Sequence, residues 1–199
     1  MAQQEFSSIN WPKYKLINVF REVFSNHTKY TFDPSEERTK IHIRDRSAIR
    51  LIDTDDRPII AISRGGVRTH QRFIGDLKHI DMTTGEYQYV DLLETNITVN
   101  CVSPYGLVAE ELSSIVWGFV KYNKPDIMAE GFVRMEPPAL SEEQTIITDS
   151  DYQLVSVSVV FNLIYLVYWS RTPQALLLDQ LSIQARNINQ VVWDSTDGT

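Results

Sequence analysis

Five side chains of this sequence could perform acid–base or nucleophilic chemistry: one cysteine and four histidines. Cys101 is the only thiol, and the histidines are His27, His42, His70 and His79. None of them stands in an H-E-x-x-H or Cys/His pattern, so the sequence predicts no metal site and no cofactor. A thiol–imidazole pair of Cys101 with His70 or His79 stays an alternative, because such a pair supplies a nucleophile and its base. The apolar alternation around Cys101 instead favours a small buried side chain in a strand.

Two other motifs could bind ions, and neither carries the full pattern that its chemistry needs. The acidic run 53–56 could begin a twelve-residue calcium loop, but the positions that require glycine and glutamate hold Pro58 and Arg64. The glycines of Arg64-Gly65-Gly66 are not followed by the Lys-Ser/Thr of a phosphate-binding loop. We interpret the first motif as a solvated turn and the second as a bend in a strand, and we expect no enzyme activity.

Charge is distributed unevenly along the chain, whose formal net charge at pH 7 is −7. Residues 38–78 hold eight Arg and two Lys against five Asp, a net charge of +5, which leaves −12 for the rest of the chain. This overall acidity argues against nonspecific wrapping by nucleic acid. The asymmetry is typical of a subunit that presents opposite charges to different neighbours, although basic side chains that protect strand edges are a simpler interpretation. The candidates for contact between copies are Arg64, Arg68, Arg72, Lys78, Glu110, Glu111, Asp149, Asp151 and Trp193.

Four long periodic segments must position these side chains. Apolar residues at helical spacing predict a helix over Trp11–Ser25, and a second, longer helix that begins with Ser103 as N-cap and Pro104 as first residue and ends near Tyr122. Strict alternation predicts a strand from about Glu86 to Val102 and another over 152–169, each with one apolar face.

Shorter segments complete the predicted fold. Short strands are expected at 41–43, 48–52, 58–63 and 132–136, the glycine pair is expected to end the third of them, and a long polar stretch should follow to about Leu77. Thr84-Gly85 marks the turn of a protruding hairpin. We predict an α+β fold in which an antiparallel or mixed sheet carries the N-terminal helix and the central amphipathic helix. One domain is expected over 1–172, with a C-terminal arm over 173–199 that packs on its own domain or on a neighbour.

Length and composition restrict the class of protein further. The 199 residues suit one sizeable core, and a single cysteine permits no internal disulfide, as in a reducing compartment. The N-terminus lacks the pattern of a signal peptide, and the most apolar stretch, 154–169, is shorter than the ~20 residues of a membrane-spanning helix. We therefore expect a soluble protein without a membrane partner.

The order of these elements resembles the tail-terminator and related neck proteins of long-tailed bacteriophages. The likeness covers roughly residues 10–170 and is carried by the N-terminal helix, the aromatic-ended strand up to Trp169, and four quoted segments. These segments are Pro58-Ile59-Ile60-Ala61-Ile62-Ser63-Arg64-Gly65-Gly66, Thr84-Gly85-Glu86-Tyr87, Asn100-Cys101-Val102-Ser103 and Gly106-Leu107-Val108-Ala109-Glu110-Glu111-Leu112. Residues 173–199 are longer than the basic plan of the family.

The resemblance implies a virion structural protein that performs no catalysis. Such a subunit forms a ring, usually of six copies, that caps the tail tube, fixes its length and docks to the head connector or stopper. Double-stranded DNA passes through the lumen without specific binding. The implied location is the tail or neck of the virion, after assembly in the host cytoplasm. The alternatives are another neck or tail component (connector adaptor, stopper, tube or baseplate protein), a small Cys/His enzyme, or a monomeric binding module.

Overall fold

The computed structural model describes residues 11–48, 56–70, 77–81, 86–147 and 153–171. These residues form an α+β fold with a mixed eight-stranded sheet, which confirms the predicted fold class. The helices are α1 (Trp11–Ser25), α2 (Gly106–Tyr122) and α3 (Lys124–Ala129). The strands are β1 (His42–Asp45), β2 (Ile59–Thr69), β3 (Leu77–Asp81), β4 (Glu86–Ser103), β5 (Phe132–Met135), β6 (Ala139–Leu140), β7 (Gln144–Ile147) and β8 (Gln153–Arg171).

The chain divides into two compact units, residues 1–73 with 91–167 and residues 74–90 with 168–199. The first unit contains all three described helices and the core. In the second unit, β3 pairs antiparallel with the first residues of β4, as the predicted hairpin requires. The predicted turn at Thr84-Gly85, the C-terminal arm and the boundary at residue 172 lie outside the described residues.

The sheet has the strand order β1-β2-β4-β8-β5. β1 runs parallel to β2, and β2 runs antiparallel to β4. The three short strands β5, β6 and β7 pair one after another along β8. The two longest strands, β4 and β8, are therefore neighbours at the centre of the sheet.

Helix α1 begins and ends where its sequence pattern predicted. Pro12 lies in its first turn, where the missing N–H costs no hydrogen bond. Leu16, Phe20 and Phe24 are fully buried, which fixes the face that packs on the sheet. Burial of this stripe, at about 1.5–3 kcal/mol per large apolar side chain, stabilises the helix far more than its intrinsic propensity does.

The alternation predicted for the two long strands is confirmed. Thr95, Ile97, Val99 and Cys101 of β4 are buried on the helix side, and so are Val157 to Tyr165 at every second position of β8. The strand predicted over 132–136 is confirmed as β5. Of the segment predicted as a strand over 48–52, residue 48 ends a short 3-10 turn and the rest lies outside the described residues.

The strand predicted over 58–63 does not end at the glycine pair, and the interpretation of the pair as a bend in a strand is confirmed. The strand continues to Thr69, and the register shifts between Arg64 and Val67, so that Gly65 and Gly66 together face the single residue Asn96. A Cβ on Gly65 would lie 3.3 Å from the Cβ of Asn96, a close approach that favours glycine. The pair is a β-bulge, and its extra residue interrupts the alternation of apolar and polar residues from which the strand was predicted.

Helix α2 begins at Gly106, and the predicted N-cap at Ser103 was wrong. Ser103 is the last residue of β4, because pairing of the neighbouring Val102 with Ile59 keeps the chain extended to that point. Its hydroxyl accepts a hydrogen bond from the backbone N–H of Tyr105 at 3.2 Å. The serine thus stabilises the turn that leads into the helix instead of capping it, and the helix ends at Tyr122 as predicted.

Candidate functional site

The two faces of the sheet in the first unit differ in what covers them. The core cluster joins side chains of α1, α2 and α3 to one face of β2, β4 and β8. The opposite face, which we call the open face, contains Ala61, Thr98, Asn100, Ser158 and Val160. None of the described helices contributes to the small apolar cluster on this side, which consists of strand residues alone.

A groove of about 590 Å³ lies on the open face. Its apolar floor contains Ile59, Ala61, Val102 and Leu154, all of them buried. Two polar side chains in the groove bond within the chain: the hydroxyl of Ser158 donates to Oδ1 of Asn100 at 2.8 Å, and the amide of Asn100 donates to the carbonyl of Ala61 at 3.3 Å. An apolar floor beside polar groups that bond to one another favours contact with a packed side-chain surface over chemistry on a small substrate.

Arg46 is the one charged residue among the described residues that line this groove. It belongs to the 3-10 turn after β1 and is exposed. Within the described part of the chain, no carboxylate pairs with it. By contrast, Arg44, two residues earlier, donates to the carboxylate of Glu36 at 2.8 Å.

A charged cluster lies farther along the open face, beyond the bulge. Arg68 donates two hydrogen bonds to the carboxylate of Glu94, at 2.8 and 3.2 Å, and Nδ1 of His70 lies 3.3 Å from the same group. A smaller cavity of about 290 Å³ adjoins this cluster. The hydrogen bonds from Arg68, and secondarily from His70, hold the pKa of Glu94 below its ordinary value.

Acid should weaken the fold through this cluster. Because the pKa of Glu94 is lowered in the folded state, its contribution to stability is present above the ordinary glutamate pKa of about 4.3 and is lost as the pH falls below it. We expect the free energy of unfolding, measured with urea at pH 7, 5, 4 and 3, to fall less steeply below pH 5 in Glu94→Gln than in the wild type. Glu110→Gln, which removes an exposed carboxylate, should keep the wild-type dependence. Equal acid sensitivity of all three proteins would contradict this assignment.

The outer surface of α2 presents apolar side chains to solvent. Leu107 is 82% exposed, and Tyr122 at the other end of the helix is 74% exposed. Between them Glu110, Ser114 and Lys121 are also exposed, at the helical spacing that places all of them on one side. A Cβ on Gly118, on the same side of the helix, would touch nothing within 4 Å. The surface is therefore recessed at this glycine, while Leu107 and Tyr122 at the two ends of the helix extend into solvent.

The sequence-predicted contact residues are distributed over several places. Arg68 is paired with Glu94, and Glu111 is paired with Lys29 and accepts a hydrogen bond from the hydroxyl of Tyr30 at 2.9 Å. Bonding to Lys29 and then to Tyr30 holds the pKa of Glu111 below its ordinary value. Glu110 is exposed, with no cationic partner among the described residues.

Of the remaining residues predicted to contact another copy, one is half-buried, and the side chains of the others are not described by the structure. Arg64 lies on the helix side of β2, half-buried, and its Nε is buried without a hydrogen-bond acceptor. Lys78 belongs to β3, whose side chains are not described. Arg72, Asp149, Asp151 and Trp193 lie outside the described residues. Neither Arg46 nor the groove could be identified from the sequence, because the groove is assembled from segments far apart in the chain.

The surroundings of Cys101 do not favour the alternative of a thiol enzyme. Cys101 is fully buried in the core, and burial raises the pKa of its thiol far above the ordinary value. His70 bonds to Glu94, while the side chain of His79 is not described. Within the described residues, no three His, Cys, Asp or Glu side chains cluster closely enough to hold a metal ion.

No helix in the described ranges combines the length and the apolar character needed to cross a membrane. A scan against protein-family models found no match for the chain, and a search of curated proteins found none either.

Proposed function

We propose that this protein is a virion structural protein: a ring-forming tail terminator that caps the tail tube and joins the tail to the head connector. About six copies form the ring, and double-stranded DNA passes through its lumen without specific binding. The protein resides in the tail or neck of the virion and assembles in the host cytoplasm. It has no cofactor and no catalytic role in this proposal.

One observation carries the proposal: the described helices cover one face of the sheet, while the other face bears a groove with an apolar floor. The open face of the central strands is polar from Glu94 to Asn100, so its apolar floor is the part of this face that suits contact with another packed surface. The occupant that we assign to the groove is a second copy of this chain. A ring supplies such cover for every subunit, because each copy then has one neighbour on either side.

The arrangement of elements and the net charge also support the proposal. The order of the elements is the one on which the resemblance rests: an N-terminal helix, the strand with the glycine pair, a hairpin, the helix with Leu107 and a long final strand. The net charge of −7 suits a lumen along which DNA slides without adhering. Another neck or tail component, such as a connector adaptor, stopper, tube or baseplate protein, is the second candidate, since the same features suit any subunit of a ring.

Two measurements test the proposal together. In sedimentation of the purified full-length protein over a range of concentrations, we expect rings of about six copies, or binding to the ends of tail tubes that lack a terminator. In electron micrographs, a labelled subunit should lie at the head-proximal end of the tube. A label at the opposite end would assign the protein to the baseplate. A protein that stays monomeric at high concentration and does not bind tubes would overturn the ring itself.

A further inference from the structure

We propose that the outer surface of α2 of one copy packs on the open face of the next copy, with Glu110 beside Arg46. This inference rests on the proposed function and adds to it the two surfaces that meet. The contact is heterologous, since it joins two different surfaces, and repetition of such a contact closes a ring when the rotation allows it.

The positions of the two surfaces favour this arrangement. Ala109, Leu112, Val116 and Val120 of α2 pack against the helix side of the sheet, so the outer surface of the helix points away from the sheet. The groove lies on the opposite side of the same sheet. The two surfaces therefore lie on opposite sides of one sheet and are distinct, and a head-to-tail contact joins two such different surfaces.

The chemistry of the two surfaces is complementary in apolar character. Leu107 loses most of its contact with water only if another molecule covers it, because 82% of its surface is exposed. The groove offers Ile59, Ala61 and Val102 as an apolar floor, and its Ser158 and Asn100 side chains already bond to each other. Burial of Leu107 against this floor stabilises the contact through apolar surface removed from water.

The charges of the two surfaces are complementary as well. Glu110 stands one helical turn after Leu107, and it is exposed without a cationic partner among the described residues. Arg46, beside the groove, lacks an anionic partner within the same described ranges. Each of the two has a close neighbour whose charge is already neutralised within the chain: Arg44 by Glu36, and Glu111 by Lys29. Glu110 and Arg46 are therefore available to pair with each other across a contact between copies.

Charge reversal separates this contact from its alternatives. In sedimentation of the full-length protein, Arg46→Glu and Glu110→Arg should each weaken self-association about 10- to 30-fold at low salt, because each change places like charges together. The double variant, in which the two charges are exchanged, should regain most of the wild-type affinity. Arg44→Glu and Glu111→Arg serve as matched controls. The double variant that exchanges these two charges should give no recovery of affinity for self-association of the kind expected for the Arg46 and Glu110 pair.

Measurements of folding distinguish the loss of a contact between copies from unfolding of a variant. Both substituted side chains are exposed, so the melting temperature of each variant should stay near that of the wild type. As an independent measurement, hydrogen exchange at the groove strands and at α2 should slow on assembly of the wild-type protein. If the wild type associates but the single reversals leave its affinity unchanged, the α2–groove contact is wrong while the ring survives. If the wild type does not associate with itself or with tail tubes, the proposed function fails and this contact fails with it.

Discussion

Val99→Asp should prevent the protein from folding. Val99 is fully buried among the helices on one side of the central strand β4. A carboxyl group there would have no hydrogen-bond partner to replace water, so burying it, ionised or protonated, costs an amount comparable to the roughly 5–15 kcal/mol that stabilises a typical domain. Circular dichroism and thermal melting of the purified variant should show no cooperative transition, and the protein should accumulate as aggregates.

The neighbouring residue provides the control for this prediction. Thr98 lies on the open face, half-buried in the groove, so a carboxylate at this position retains access to water. Thr98→Asp should therefore fold and melt cooperatively, at most a few degrees below the wild type. A folded Val99→Asp with a wild-type melting temperature would contradict the assignment of the two faces of β4.

Alternation was sufficient to predict which faces of the long strands are buried. In β4 and β8 the period of two is uninterrupted over the region that packs on the helices, so the local pattern and the tertiary burial agree. The helix α1 was predictable for the same reason, since its apolar stripe repeats without interruption from Leu16 to Phe24. Segments of this kind can be read from the sequence because one physical requirement, a single buried face, fixes every position.

The continuation of β2 beyond the glycine pair and the start of α2 were not predictable, because both depend on pairing with distant residues. The glycine pair interrupts the alternation of β2, and only the partner Asn96, thirty residues later, shows that the strand continues. Ser103-Pro104 carries a strong local signal for a helix start. The partner strand keeps Val102 extended and so delays the helix by two residues.

The candidate site shows the same limit more clearly. Arg68 and Glu111 were both predicted to be available for contact with another copy, yet their partners Glu94 and Lys29 are supplied by the fold of the same chain. The groove is built from β2, β4, β7, β8 and a 3-10 turn, so no short segment of the sequence contains its pattern. The sequence predicted that charged residues would matter for assembly, and the structure distinguishes those that already have a partner from those that do not.

Two variants that cannot assemble alone should associate when they are mixed. Leu107→Arg places a charge on the outer surface of α2 and leaves the groove intact. Thr98→Trp fills the groove and leaves α2 intact. Each variant alone should sediment as a monomer, because every contact in its ring would contain one damaged surface.

The mixture should form a complex of two copies and grow no further. The intact α2 of the Thr98→Trp protein can bind the intact groove of the Leu107→Arg protein, whereas the two surfaces left at the ends of that pair are both damaged. Val133→Trp, an exposed position of β5 away from the groove, is the matched control and should assemble as the wild type does. Sedimentation velocity of equimolar mixtures checks the result, with one variant fluorescently labelled. Assembly of either groove or α2 variant by itself, or a mixture that stays monomeric, would show that copies of this chain do not meet through these two surfaces.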